Sequence, residues 1–456
     1  MKIIVAGCGK IGTAITHALV GEGHNVTVVD IKGAAVEELI NRYDVNGLTG
    51  SAADYDVLLE AEAGKADLFV SVTEKDEMNM LACLFARRLG AKHTIARIRT
   101  TDYNEGNLGF LKQELQLSMA LNPDLLAGQQ VFNLLRLPSA ARIDTFSGKN
   151  IEMVELRLKQ DNPVCGLTLW DLREKYKGLF LVCYVQRGED VIIPDGRFTL
   201  LADDKIGVIA SPGEMQRLLK KMHLTTKTAR SIMILGGSRA SYYLARRLDF
   251  LGKSVKIIDK DPVRCRELAD LLPSVSVVEG DGTHQDLLFE EGIRSVDAFV
   301  ALTGTDEENI LLSVFASKLG VKRVITKVNR TELTGIAGDL GLETVISPKK
   351  AVTDVVTRYA RALNTAEGSK IETLYRIADE KAEAIEFVVT PEFRGKGVEL
   401  RDLKLQPNTL IAGISRGRKT LIPTGSDTIE PGDRVIVVTA GRKLVELSDI
   451  MAGGRK

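Results

Sequence analysis

The sequence opens with Met-Lys-Ile-Ile-Val-Ala-Gly-Cys-Gly-Lys-Ile-Gly at residues 1–12, and this segment is the strongest indication of the fold class. An apolar run at 2–6 predicts a buried strand, and apolar residues at helical spacing predict a helix over 11–21. The Gly-x-Gly-x-x-Gly sequence between them allows a tight turn, close approach of a pyrophosphate and close helix–strand packing. Free N–H groups at the start of the helix favour phosphate. The predicted nucleotide-binding turn consists of Gly7, Cys8, Gly9, Lys10, Ile11 and Gly12.

A carboxylate follows the second predicted strand. Asp30 lies 18 residues beyond Gly12 and ends the run V-T-V-V-D. In that position a carboxylate can accept hydrogen bonds from both hydroxyls of the adenosine ribose, and it would repel a 2′-phosphate. The pattern therefore favours NAD over NADP. The alternative is a Rossmann turn that is retained for packing alone.

Three further residues are candidates at the carboxyl edge of the predicted sheet. Thr73 ends the fourth strand, where its hydroxyl and the backbone at Glu74 could contact ribose or phosphate, and Arg97 on the fifth strand could reach a phosphate. For Thr73 the alternative is a helix N-cap for the segment that starts near 76. For Arg97 the alternative is a structural salt bridge.

The chain is an internal duplication with an offset near 229 residues. Residues 3–12 match 232–241, and A-D-L-F-V-S-V-T at 66–73 matches V-D-A-F-V-A-L-T at 296–303. The segments that follow match as well, because a Gly-x-x-Leu-x-Asp-Leu element occurs at 166–172 and again at 397–403. A whole unit of about 225 residues is therefore present twice.

The second copy of the nucleotide turn is altered. It reads Gly236, Gly237, Ser238, Arg239, Ala240, Ser241, so that serines replace the second and third glycines of the fingerprint. Ser238 adds a side chain where the pyrophosphate would approach the backbone. Asp259 is retained at the end of the second strand, and Asp281 follows the third strand and could serve a ribose or an adenine. Both a ligand-binding second site and an empty structural copy are consistent with this pattern.

The order of predicted elements defines the fold class. Strands and helices alternate in the first part of each unit, which predicts an α/β architecture with a parallel doubly wound sheet. Short strands with turn signals follow. The expected fold is two Rossmann-like domains, 1–140 and 230–368, each followed by a small α+β domain, 141–224 and 369–453.

Composition narrows the function. The 456 residues carry 61 basic and 61 acidic side chains, so the formal charge is +0 and nucleic acid is not an expected partner. No apolar run approaches the roughly 18 residues of a spanning helix. The five cysteines are scattered without metal-ligand spacing, which favours a reducing cytosol and predicts no metal site.

The sequence lacks a recognisable catalytic group. A dehydrogenase needs an acid or base opposite the nicotinamide, and the small domains offer no such constellation. We therefore expect a protein that binds nucleotide without turning it over. An NAD-dependent oxidoreductase is the rival interpretation.

These motifs resemble a known family. M-K-I-I-V-A-G-C-G-K-I-G, V-V-D at 28–30, S-V-T-E-K-D-E-M-N-M at 71–80 and I-A-R-I-R at 95–99 are similar to the regulators of potassium conductance. These RCK proteins, also called KTN, combine a TrkA-N with a TrkA-C domain. The similarity covers essentially the whole chain, with two such pairs in tandem.

The resemblance implies a cytoplasmic regulatory subunit that lies peripherally on the membrane. Its expected partner is a potassium-translocating subunit of the TrkH or TrkG kind, gated by NAD+ or NADH, or by ATP or ADP at the same sites. A homo-oligomeric ring, dimeric or tetrameric, is also implied. The helices near 124–137 and 349–362 are candidates for the ring contacts, with burial inside their own lobe as the alternative. A nucleotide sensor of another channel or antiporter remains open.

Overall fold

Two parallel and two antiparallel sheets make up the described part of the chain. The computed structural model describes residues 1–100, 105–137, 142–222, 229–364, 370–417 and 419–452. Two six-stranded sheets alternate with two five-stranded sheets along the sequence. The predicted fold class, a duplicated Rossmann-like domain with a small α+β domain after each copy, is confirmed.

The first parallel sheet has the strand order of dinucleotide-binding domains. Its elements are β1 Lys2–Ala6, α1 Lys10–Gly21, β2 Asn25–Asp30, α2 Gly33–Arg42, β3 Asn46–Thr49, α3 Tyr55–Glu60, β4 Leu68–Ser71, α4 Asp76–Leu89, β5 Thr94–Arg97, α5 Glu105–Glu114, β6 Met119–Leu121 and α6 Pro123–Arg136. The strands run in the order β3-β2-β1-β4-β5-β6. That order reverses between β1 and β4, and ligands bind beyond the carboxyl ends of the strands at such a reversal.

The first small domain is built on an antiparallel sheet. Its elements are β7 Arg142–Phe146, β8 Ile151–Arg157, α7 Leu169–Tyr176, β9 Phe180–Arg187, β10 Asp190–Ile192, β11 Lys205–Ala210 and α8 Pro212–Lys221. The strands lie in the order β10-β9-β11-β8-β7. Helix α7 begins with a capping box in which Thr168 and Asp171 bond each other's backbone, and this cap fixes the start of the helix.

The second half repeats both architectures. Its parallel sheet, β14-β13-β12-β15-β16-β17, and its antiparallel sheet, β18-β19-β22-β20-β21, have the same layout as those of the first half. The elements are β12 Ser231–Leu235, α9 Arg239–Phe250, β13 Ser254–Asp259, α10 Pro262–Leu271, β14 Ser276–Glu279, α11 Gln285–Glu290, β15 Ala298–Ala301, α12 Asp306–Lys318, β16 Arg323–Lys327, α13 Thr331–Asp339, β17 Val345–Ile346, α14 Pro348–Asn364, β18 Lys370–Ile377, β19 Ala382–Val388, β20 Thr409–Arg416, β21 Lys419–Leu421 and β22 Arg434–Ala440.

Like domains pack with like. One compact unit combines residues 1–131 with 231–360, and the other combines 132–230 with 361–456. In the first unit α6 lies directly on α9, since a Cβ built on Gly128 would come within 3.0 Å of the Ala240 carbonyl oxygen. In the second unit the Tyr375 hydroxyl donates to the Thr145 carbonyl at 2.9 Å.

Most apolar side chains of the predicted contact stripe on α6 are buried. Val131, Leu134 and Leu135 on α6 are buried within the chain, and the choice between ring contacts and burial inside their own lobe stays a prediction. Leu125 remains 45% exposed. The boundaries predicted at 140/141, 224, 368/369 and 453 lie outside the described residues and stay predictions. Among the helices of the described residues, none has the length and apolarity needed to cross a bilayer.

Candidate nucleotide site

The glycines of the first turn meet two different steric demands. Gly7 has φ +104°, and a Cβ there would lie 2.9 Å from the Thr73 backbone nitrogen. At Gly12 a Cβ would come within 1.7 Å of the Gly7 carbonyl oxygen. No atom lies within 4 Å of the corresponding position at Gly9. The protein's own packing therefore requires glycine at 7 and 12, whereas the open space at 9 is what a ligand backbone contact requires.

Asp30 holds the turn in place. Its Oδ2 accepts a hydrogen bond from the Cys8 backbone N–H at 2.6 Å, and its Oδ1 accepts one from the Lys32 N–H at 2.9 Å. A carboxylate has about four lone-pair sites, so each oxygen retains capacity for a ribose hydroxyl. The residue therefore has a structural role in the turn besides the one predicted toward ribose.

Cys8 is a buried thiol inside this turn. Burial, reinforced by the charge of Asp30, raises the pKa of the Cys8 thiol to about 12. The thiolate is the reactive form of cysteine, so a thiol held in the neutral form is a poor nucleophile. Cys8 therefore serves as a small filler of the turn.

Thr73 is bonded to a residue that sequence reasoning did not assign a role. The Asn79 Oδ1 accepts hydrogen bonds from the Thr73 N–H and hydroxyl, both at 2.7 Å, and the Asn79 amide donates to the Arg97 carbonyl at 2.9 Å. The helix that follows has Lys75 at its N-cap, so the N-cap alternative for Thr73 is wrong. Asn309 does the same for Thr303 in the second copy. The recurrence of this asparagine in both repeats was the available signal.

Arg97 is buried with an unused donor. The side chain is 8% exposed, donates through one terminal nitrogen to the Thr73 carbonyl, and has an Nε without a hydrogen-bond partner. Within the described ranges it forms no ion pair, so the salt-bridge alternative is not what holds it. Burial and the neighbouring Arg99 lower its pKa to about 10, which still leaves it charged at neutral pH. A buried guanidinium with an orphaned N–H suits an anionic ligand.

These residues line one cleft. Its volume is about 1280 Å³, above the roughly 300–1,000 Å³ typical of small-molecule pockets, so a dinucleotide would fit. Both Rossmann-like repeats of this compact unit supply its walls. The lining includes ten predicted residues, namely Gly7, Cys8, Gly9, Lys10, Ile11, Asp30, Thr73, Glu74, Arg97 and Ser238. Charged lining residues that sequence reasoning missed include Arg99, Asp124, Lys327, Arg330 and Lys349.

The second turn is filled from within the protein. Ser238 caps α9 by accepting from the Ser241 N–H at 3.2 Å, and Arg264 donates through Nε to the Gly237 carbonyl at 2.6 Å. Asp259 accepts from the Gly237 N–H, just as Asp30 accepts from the turn of the first repeat. The predicted residues Gly236, Gly237, Arg239, Asp259 and Asp281 do not line the cleft described above, nor does Gly12 of the first repeat.

Asp281 is also engaged locally. Its Oδ1 accepts from the Thr283 N–H at 2.9 Å and from the Thr283 hydroxyl at 2.8 Å, and these bonds lower the pKa of the carboxyl. In the second turn itself, Ser238 and the Gly237 carbonyl both have partners within the protein. This favours the alternative of an empty structural copy.

Family models match both halves of the chain. The TrkA-N domain matches residues 3–111 and 232–348, and the TrkA-C domain matches residues 153–223 and 384–452. The tandem pairing expected from the motifs is therefore confirmed.

Solved structures show the same fold. The chain is similar to the GsuK channel bound to NAD, with a TM-score of 0.62 at 18% identity, covering 96% of this chain and 77% of that one. It is equally similar to the GsuK RCK domain, with a TM-score of 0.62 at 18% identity, covering 96% of this chain and 92% of that one.

Curated relatives match along their entire length. The Trk system potassium uptake protein TrkA of Vibrio alginolyticus is 31% identical over 455 residues, 99% of this chain and 98% of the relative. The Trk system potassium uptake protein TrkA homolog of Archaeoglobus fulgidus is 30% identical over 450 residues, 99% of this chain and 100% of the relative. With both domain models matched twice and these relatives matched throughout, the chain belongs to the family of Trk system potassium uptake proteins TrkA.

Proposed function

We propose that this protein is the nucleotide-binding regulatory subunit of a potassium uptake system. It binds NAD+, NADH or a related adenine nucleotide in the cleft of the first repeat, and it controls a membrane potassium-translocating subunit of the TrkH or TrkG kind. The observation that carries the nucleotide part is the cleft itself, which is lined by an open Gly9, the Asp30 carboxylate and the buried guanidinium of Arg97.

The residues have distinct roles in this proposal. The N–H groups at the start of α1 receive the phosphates, Asp30 receives the ribose hydroxyls, and Arg97 donates to a phosphate oxygen. No residue of the cleft is assigned a catalytic role.

Regulation follows from the two walls of the cleft. A ligand shifts a conformational equilibrium only by its differential affinity for the two states. Because both repeats line the cleft, a nucleotide that contacts both walls is sensitive to their separation. The proposed signal is a change in the relation of the two repeats, which an oligomeric ring passes to the transporter at the cytoplasmic face of the membrane.

Binding is tested with a charge placed at the open glycine. Gly9→Glu has room for its side chain and sets a carboxylate against the incoming phosphates, so we expect calorimetric titration with NADH or ATP to show no binding. Gly21→Glu adds the same charge at the other end of α1, where a Cβ also meets nothing within 4 Å, and should bind like wild type. Binding to a folded Gly9→Glu protein would reject the proposed site.

Regulation is tested with the membrane subunit present. Potassium flux through co-reconstituted vesicles should depend on nucleotide with wild type and Gly21→Glu, and should lose that dependence with Gly9→Glu. The protein should co-fractionate with membranes when the potassium-translocating subunit is co-expressed, and should not bind protein-free liposomes. Nucleotide-independent flux, with binding intact, would reject the regulatory role.

A further inference from the structure

An acidic residue lies in the first turn of α6, at the position where α14 of the second repeat has a basic residue. The Asn122 side chain accepts from the Leu125 N–H at 3.0 Å and so caps α6, and Pro123 and Asp124 begin the helix. In the second repeat Ser347 caps α14 in the same way, and Pro348 and Lys349 follow. Both Asp124 and Lys349 line the nucleotide cleft. The capped N-terminal turns of the two equivalent helices thus contribute opposite charges to the nucleotide cleft.

Four cations from both repeats act electrostatically on the Asp124 carboxylate. In decreasing order of influence they are Arg239, Arg99, Lys327 and Arg97. The carboxylate forms no ion pair and accepts no hydrogen bond within the part of the chain that the structure describes. Of the four cations, Arg99, Lys327 and Arg97 line the cleft together with Asp124, whereas Arg239 does not. Burial nevertheless raises the pKa of Asp124, because it outweighs the four cations.

Two of these cations make few direct hydrogen bonds. Arg97 has its unpaired Nε, and the ammonium of Lys327 reaches only the Leu302 carbonyl at 3.4 Å. By contrast, Arg99 lies 3.8 Å from a carboxylate oxygen of Asp76. Burial lowers the pKa of Lys327, against the opposing influence of Asp124 and Asp306. Asp124 is the acid that influences both Arg97 and Lys327.

We infer that Asp124 sets which nucleotide charge the cleft accepts. Arg97, Lys327 and Asp124 line the same cleft, so a phosphate bound there gains the attraction of the two cations but also meets the repulsion of the Asp124 carboxylate. The repulsion grows with each phosphate charge, so it acts most strongly on ATP, less on ADP and least on a dinucleotide. Asp124 is therefore a specificity-determining residue that favours dinucleotides over polyphosphates. This inference rests on the proposed function of the cleft as a nucleotide site.

The test is the charge-neutral, nearly isosteric substitution Asp124→Asn. Affinities for NAD+, NADH, ADP and ATP are measured by calorimetry on the full chain, at low salt and without divalent cations. We expect ATP to bind at least roughly tenfold more tightly to the variant and NAD+ to change by less than about twofold, with NADH and ADP between them. Glu77→Gln is the matched control, because it removes an exposed carboxylate of α4 that does not line the cleft.

A second variant makes the opposite prediction. Lys327→Gln should weaken the binding of ATP by roughly tenfold and the binding of NAD+ much less. This variant tests the dependence of affinity on nucleotide charge if Asp124→Asn does not fold. Equal fold-changes for all four nucleotides, or none, in the folded variants would overturn the role of Asp124 while leaving nucleotide binding intact. Wild type that binds none of the four probes would overturn the proposed function and this inference together.

Discussion

Replacing Asp30 separates its role in the turn from its role toward the ligand. Asp30→Ala removes the acceptor of the buried Cys8 N–H and of the Lys32 N–H, together with the proposed acceptor of the ribose hydroxyls. Leaving a buried donor unpaired costs about 1–3 kcal/mol of folding stability, and losing hydrogen bonds to a charged acceptor costs about 1.5–3 kcal/mol of binding. NAD affinity should therefore fall by about 10- to 150-fold.

The second repeat supplies the matched control. Asp259 accepts from the Gly237 N–H and, at 2.8 Å, from the Asp261 N–H, so Asp259→Ala removes an equivalent anchor. Both variants should lose a similar amount of stability in urea unfolding, and only Asp30→Ala should lose NAD affinity in calorimetry. A folded Asp30→Ala protein with unchanged affinity would refute the assigned pose. Equal losses of affinity in both variants would place the effect in the fold rather than in a ligand contact.

Four further predictions follow from particular contacts. Calorimetry should give about one nucleotide bound per chain, because Arg264 and Ser238 fill the second turn, and two equal sites would contradict this. NADH incubated with the protein and common oxo-acids should not be consumed, and sustained turnover would revive the oxidoreductase interpretation. Iodoacetamide at pH 8 should leave Cys8 unmodified in the folded protein, since raising the thiol pKa from 9.0 to about 12 reduces the thiolate about 1,000-fold, and labelling as fast as in the unfolded protein would contradict the burial. Glu383→Gln should cost about 3–5 kcal/mol of stability in urea unfolding because it removes the negative charge from a buried bidentate ion pair with Arg361. Glu372→Gln in the exposed pair with Arg434 should cost less than about 1 kcal/mol, and similar losses in the two variants would contradict the assigned difference.

The local part of the site was predictable from the sequence because it is encoded by short-range geometry. Gly7 and Gly12 are required by contacts within five residues and with the neighbouring strand, and Asp30 ends the strand beside β1. The internal repeat likewise predicted the four-domain architecture. The expectation that Ser238 hinders a pyrophosphate stays a prediction, and the finding that it caps α9 required the structure.

The opposite wall of the cleft was not predictable in the same way. Nothing in the spacing of Lys327 or Lys349 relates them to residue 9, because the packing of one Rossmann-like repeat on the other brings them together. The partners of Asn79 lie within its own repeat and were missed for a different reason, since an amide at a repeated position indicates only that the position is constrained. Contacts between distant segments depend on the docking of whole domains, and periodicity within one element carries no information about that docking.

The pairing of like domains within one chain has a consequence for symmetry. If the same cleft formed between two identical single-repeat subunits, the first turns of the two equivalent helices would have the same residues. Both sides of the cleft would then carry the same charge. Tandem duplication removes that constraint, because each half is encoded separately. A homodimer cannot have different residues at equivalent positions of its two halves. This chain has Asp124 in one half and Lys349 in the other, and likewise the open Gly9 in one and the helix-capping Ser238 in the other. Tandem duplication therefore allows the two halves to carry different residues at equivalent positions around one binding cleft.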